Sequence, residues 1–183
     1  MCGIIGVHSN IKNKYIFYEI FEGLMCLQHR GQDSVGICNE LNVRKYDGLV
    51  KYAFQKENED NSHCQNYMGH VRYGTNGLSD NIQPFYSVFP RRISLCHNGN
   101  IINTEEIKKI VYDNYHIKVD SQSDSEIILS LFSLSAECND KARYVATESV
   151  NSLILSGMPI VLRVIDFLPN ANPVDSSKTL INC

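Results

Sequence analysis

Residues 1–7 read MCGIIGV, a cysteine directly behind the initiator methionine followed by an apolar run rich in isoleucine and valine. Cys2–Val7 is short, β-branched and followed by polar residues, the signature of a buried strand that starts almost at the chain terminus. Cysteine is small enough for methionine removal, which leaves a thiol and a free α-amine on one residue. Such an amine has a reference pKa of about 8 and can take the thiol proton near neutral pH without a distant base. The position also fits a plain structural role, because free cysteines are commonly buried in cores.

Working outward from this strand, Ile16, Phe17, Ile20, Phe21, Leu24 and Leu27 recur at three- and four-residue steps. That spacing predicts an amphipathic helix over Tyr15–Leu27, stopped by the segment HRGQDS. Extended patterns return at Val35–Cys38, Met68–Tyr73 and Ile93–Cys96, the last two each delivering a polar cluster at its C-terminal end. Residues 55–66 (QKENEDNSHCQN) are polar and read as a surface loop. Two helix starts follow: Asn103 with Glu106 resembles a capping arrangement, and Ser123 with Glu126 is an S-x-x-E capping box. Leu153–Val164 offers two short strands interrupted by Gly157 and Pro159, and Phe167–Cys183 reads as a loop or a loosely docked tail. Strand, helix, several strands, then two helices indicates an α+β fold, with helices packed on largely antiparallel sheets.

The chain has 183 residues, 43% apolar and 20% charged, a length that favours one domain. With 17 basic and 20 acidic residues the formal charge is −3, which disfavours a nucleic acid or an anionic membrane as partner. Seven cysteines, none in a C-x-x-C pair, fit neither a disulfide framework nor a zinc knuckle. The cytosol is the compartment expected of such a chain, since no stretch approaches a signal peptide or a membrane span.

Four further clusters carry chemistry. His97-Asn-Gly-Asn100 ends an apolar strand; an Asn amide beside a Gly N–H can hold an oxyanion, although Asn-Gly is also the commonest hairpin dipeptide. In Gly69-His-Val-Arg-Tyr-Gly-Thr-Asn-Gly77, Arg72 can clamp a carboxylate through two parallel hydrogen bonds, or serve as a paired strand-end charge. Asp124, in a helix's first turn, can bind an ammonium group, and the helix dipole favours a carboxylate there in any protein. Leu27-Gln-His-Arg-Gly-Gln-Asp-Ser34 offers Arg30 as a loop organiser and His29 as a base. His29, His70, His97 and Cys96 lack metal-ligand spacing, so neither a metal nor another cofactor is expected.

Taken together, MCGIIG, LQHRGQDSVGI at 27–37, GHVRYGTNG at 69–77, QPF at 83–85, HNGNIIN at 97–103 and SDSE at 123–126 resemble one family closely. In order and spacing they are similar to the glutaminase domain of glutamine phosphoribosylpyrophosphate amidotransferases, which are class II, N-terminal-nucleophile amidotransferases. The resemblance covers about residues 2–135. QHRGQDS with QPF and SDSE looks like the purine-pathway members rather than the glucosamine-phosphate or asparagine synthases.

That resemblance implies a four-layer αββα sandwich, two antiparallel sheets between helical layers, while the departure from the family pattern over Val164–Pro173 leads one to expect incomplete C-terminal strands. It assigns Cys2 as nucleophile, Asn98 and Gly99 as oxyanion hole, Arg72 to the α-carboxylate of glutamine and Asp124 to its α-ammonium. Thr75 and Gly77 would line the glutamine pocket, and Arg30 would order the nucleophile's surroundings. Residues 1–165 are then expected to form the glutaminase domain and 166–183 a divergent tail, with no phosphoribosyltransferase domain in the sequence. Ammonia would leave to solvent or pass to an acceptor domain on another chain, and a homodimer is the simplest assembly. A binding or decoy module that keeps the fold without turnover is the rival expectation.

Overall fold

The structure, a computed structural model, describes residues 2–54, 63–74, 81–88, 92–99, 101, 103–116, 118–119, 123–135, 160–165 and 181–182. It divides into two compact units, Met1–Pro84 with Phe167–Cys183, and Phe85–Asp166.

In the first unit, β1 (Gly3–Asn13), β2 (Ser34–Asn39), β3 (Val43–Asp47), β4 (Cys64–Arg72) and β8 (Ile181–Asn182) form an antiparallel sheet ordered β3-β2-β4-β1-β8. The helix α1 (Ile16–Leu27) packs on β1 and β4. Asn13 sets its start: Asn13 Oδ1 accepts from the backbone N–H groups of Tyr15 and Ile16, two donors left open by the first helical turn. Ile16, Phe17, Ile20 and Leu24 are the buried stripe that the periodicity predicts. They meet Ile5, Val35, Ile37, Tyr67 and Val71, alternate residues of three neighbouring strands and hence one face of the sheet. Aromatic edges close this core, with Phe17 6.1 Å from Phe54 and 6.2 Å from Tyr67 between ring centroids. The approach of α1 is close enough to exclude side chains at two points. A Cβ on Gly69 would lie 2.9 Å from Leu24, and one on Gly23 would overlap Ile5.

The second unit holds β5 (Phe85–Ser87), β6 (Arg92–His97) and β7 (Ile160–Ile165), antiparallel with β6 in the centre. The helix α4 (Asp124–Ser135) packs on β5 and β6, and α3 (Thr104–Tyr115) packs on α4. Ile93, Leu95, Ile107, Val111, Ile127, Ile128 and Leu131 form its core. Each unit is thus a sheet with helices on it, and the chain is α+β with antiparallel sheets.

Several elements depart from the sequence reading. The strand expected over Cys2–Val7 runs on to Asn13, and β4 begins at Cys64, inside the polar segment read as a loop; residues 55–62 lie outside the described residues. The short elements β3, β5 and α2 (Val50–Ala53) carry no periodicity of their own and rest on their neighbours. Asn103 does not cap α3 with its side chain; its amide instead donates to Glu106 Oε2 at 3.4 Å. Of the stretch Leu153–Val164, residues 160–164 lie in β7 and the remainder falls outside the described residues. Within the expected tail, Ile181 and Asn182 pair with Ile5 and Ile4 of β1.

Candidate active site

Cys2 precedes β1, and the β1–β4 register places Gly3 opposite Val71, so the next step of that register sets Cys2 across from Arg72. On the other side of β4, Ser34 pairs with Arg72. Because side chains alternate along strands, Cys2, Arg72 and Ser34 form one row across the sheet, on the face opposite α1. Cys2 is partly exposed, as a reactive thiol has to be.

The segment QHRGQDS, which ends α1, fastens this row. Arg30 Nε donates to the Cys2 carbonyl oxygen at 3.2 Å, holding the Cys2 backbone. Gln28 bridges the turn, donating from Nε2 to the Gly31 carbonyl and accepting from the Val50 N–H at 2.7 Å. Gly31 lies against the Arg72 backbone, where a Cβ would be 2.5 Å from the Arg72 carbonyl carbon. Asp33 donates its N–H to the Arg72 carbonyl at 3.1 Å and accepts from the Gly74 N–H with its carboxylate. Among the described residues the buried Ser34 hydroxyl has no hydrogen-bond partner, and no role for it is legible in the sequence, where a serine at a strand start is unremarkable.

In the second unit, β6 ends at His97, and Asn98 and Gly99 follow it directly, Asn98 half-buried and Gly99 exposed. Asp124 is the first residue of α4. Its Oδ2 accepts from the Ile101 N–H at 3.1 Å, and its Oδ1 accepts from the Ser125 hydroxyl at 3.2 Å. The Ser125 Oγ also lies 3.1 Å from Nδ1 of the buried His97, whose Nδ1 is 3.7 Å from Asp124 Oδ1. Burial pushes the Asp124 carboxyl up, but the His97 ring and the N–H groups of Ile101 and Ser125 outweigh it and hold the pKa below its ordinary value of 3.8. With its side chain 20% exposed, this carboxylate keeps lone pairs open to a cationic ligand.

The structure therefore brings Cys2, Arg30 and Arg72 together in the first unit, and Asn98, Gly99 and Asp124 together in the second. Thr75 and Gly77 lie outside the described residues. Among the described residues no group of three or more His, Cys, Asp or Glu side chains is placed to hold a metal ion. No helix among them is long and apolar enough to cross a membrane.

Residues 57–142 match the family described as a glutamine amidotransferase domain. The chain carries a glutamine amidotransferase domain. It is of the amidophosphoribosyltransferase type. This amidotransferase domain is 34% identical to the amidophosphoribosyltransferase of Pseudomonas aeruginosa, over 90% of this chain and 34% of that relative. It is 37% identical to the amidophosphoribosyltransferase of Escherichia coli, over 72% of this chain and 27% of that relative. Among solved structures it is similar to the glutamine phosphoribosylpyrophosphate amidotransferase of B. subtilis complexed with ADP and GMP. That likeness has a TM-score of 0.64 and 26% identity, and covers 89% of this chain and 35% of the other. The amidotransferase domain thus spans about a third of the length of the relatives it matches.

Proposed function

We propose that this domain hydrolyses the side-chain amide of glutamine through a thioester on Cys2. The observation that supports the reading is the register across the first sheet, which sets the partly exposed Cys2 opposite Arg72, with the Cys2 carbonyl held by Arg30 and the Arg72 carbonyl by Asp33. Arg72 takes the α-carboxylate through a bidentate pair, and Asp124, held as an anion, takes the α-ammonium. Thr75 and Gly77 complete the glutamine pocket. With Met1 removed, the Cys2 α-amine accepts the thiol proton and the sulfur attacks the amide carbon. Asn98 and the Gly99 N–H stabilise the developing oxyanion. Collapse of the adduct breaks the carbon–nitrogen bond, and the proton held by the amine goes to the leaving nitrogen, which departs as ammonia. Water then attacks the γ-glutamyl thioester, returning the thiol and releasing glutamate.

The relatives' names motivate the next step of the same reading, in which the ammonia passes to an acceptor domain on another chain. Residues 1–165 act as the glutaminase domain, with 166–183 as a divergent tail, working in the cytoplasm as a homodimer or beside an acceptor-domain partner. The test is ammonia release from glutamine by purified, Met1-free protein. Release that disappears in Cys2→Ser is expected. Equal release by that variant, or none by the parent protein, contradicts the reading; the second result favours the binding module instead.

A further inference from the structure

The first turn of α4 holds both ends of the segment that carries Asn98 and Gly99. At one end His97 Nδ1 lies 3.1 Å from Ser125 Oγ, and at the other the Ile101 N–H donates to Asp124 Oδ2 at 3.1 Å. These two contacts are linked, because the Ser125 hydroxyl donates to Asp124 Oδ1 at 3.2 Å. An ionised carboxylate only accepts, and a serine hydroxyl has one hydrogen to give. With that hydrogen directed at Asp124, Ser125 Oγ meets His97 as an acceptor, so His97 Nδ1 carries a proton. The direction of the whole chain is then fixed, from His97 Nδ1–H to Ser125 Oγ–H to Asp124.

We infer that Ser125 is a positioning residue: it transmits the Asp124 charge to His97, holds the neutral ring in its Nδ1–H form, and thereby fixes the backbone on which Asn98 and Gly99 sit. Ser125 is 1% exposed and His97 2%, so water does not readily replace the missing hydroxyl if Ser125 is removed. The role rests on the glutaminase reading of Asn98 and Gly99, whereas the hydrogen-bond chain stands independently of it. Histidine in water favours the Nε2–H form, so loss of the serine has a direct spectroscopic consequence.

The experiment records long-range nitrogen–proton correlations of the His97 ring, at a pH where it is neutral, in the full chain and in Ser125→Ala and Ser125→Thr. Ammonia release from glutamine is measured alongside. The Nδ1–H pattern is expected in the parent protein, its loss in Ser125→Ala and its return in Ser125→Thr. The turnover number should fall on the order of tenfold or more in Ser125→Ala with KM little changed, the scale expected when an outer hydrogen-bond partner is removed. An Nε2–H ring in the parent protein, or an unchanged ring in Ser125→Ala, overturns the assignment. If the parent protein shows the Nδ1–H pattern and Ser125→Ala loses it, yet neither releases ammonia, the glutaminase reading fails and the hydrogen-bond chain stands.

Discussion

Arg72 shows how little of a site's design resides in one side chain. Its backbone is held by a carbonyl that accepts from Asp33, by a glycine that lets the 28–33 turn lie on it, and by Ser34 in register across from it. A lysine there keeps the charge but loses the planar fork that meets a carboxylate in two parallel bonds. Arg72→Lys is therefore expected to weaken glutamine binding by about 1.5 to 3 kcal/mol, the range for hydrogen bonds to charged groups. Calorimetry on a Cys2→Ser background, where substrate is not consumed, reads this directly, and an unchanged affinity removes Arg72 from the carboxylate site. At this scale the sequence names candidate residues and is silent about what holds them. LQHRGQDS stands out as a block, yet besides the local Gln28–Gly31 bond the work of Gln28, Gly31 and Asp33 is contact with residues distant in the chain. Val50, Arg72 and Gly74 are their partners, and no spacing rule connects them.

Elements were legible where a face had to be buried and obscure where context decided. The helix α1 was readable because its apolar stripe has a helical period, whereas the Asn13 side chain that accepts from its first N–H groups lies ahead of that stripe and outside its period. The strands β2 and β4 show little alternation because their residues are buried at nearly successive positions, and β3 and β5 are too short to show any. Asn103 looked like a cap because Glu106 stands three residues on, but its amide turned to that carboxylate instead of leaving its oxygen to the helix. The start of α4 allows a quantitative expectation. The Asp124 carboxyl is held below its ordinary pKa of 3.8, so its ionisation stabilises the folded state. That contribution is complete above the unfolded value and is lost as pH falls through the lower folded one. The stability gap between parent protein and Asp124→Asn, measured by urea unfolding, should be constant above about pH 5 and shrink at lower pH. A gap independent of pH across that range contradicts the electrostatic account of Asp124.

At the scale of the whole molecule, two cores divide the work, one built on Phe17 and Tyr67 and the other on Ile93, Leu95 and Ile127. Each presents part of the candidate chemistry at the end of a strand: Cys2 and Arg72 in the first, His97 to Gly99 in the second, the latter facing the first turn of α4. The ordered motifs pointed to the amidotransferase family because glycines, prolines and paired charges at strand ends are the part of a fold that chemistry constrains most tightly. The central claim is that Cys2, activated by its own amine, is the nucleophile. The most direct measurement is intact-mass and peptide mapping after treatment with a chloroketone or diazo analogue of glutamine, on chains with and without Met1. One adduct, on Cys2 and only in chains lacking Met1, is the predicted result. Adducts spread over several of the seven cysteines, or equal labelling of chains that retain Met1, would contradict it.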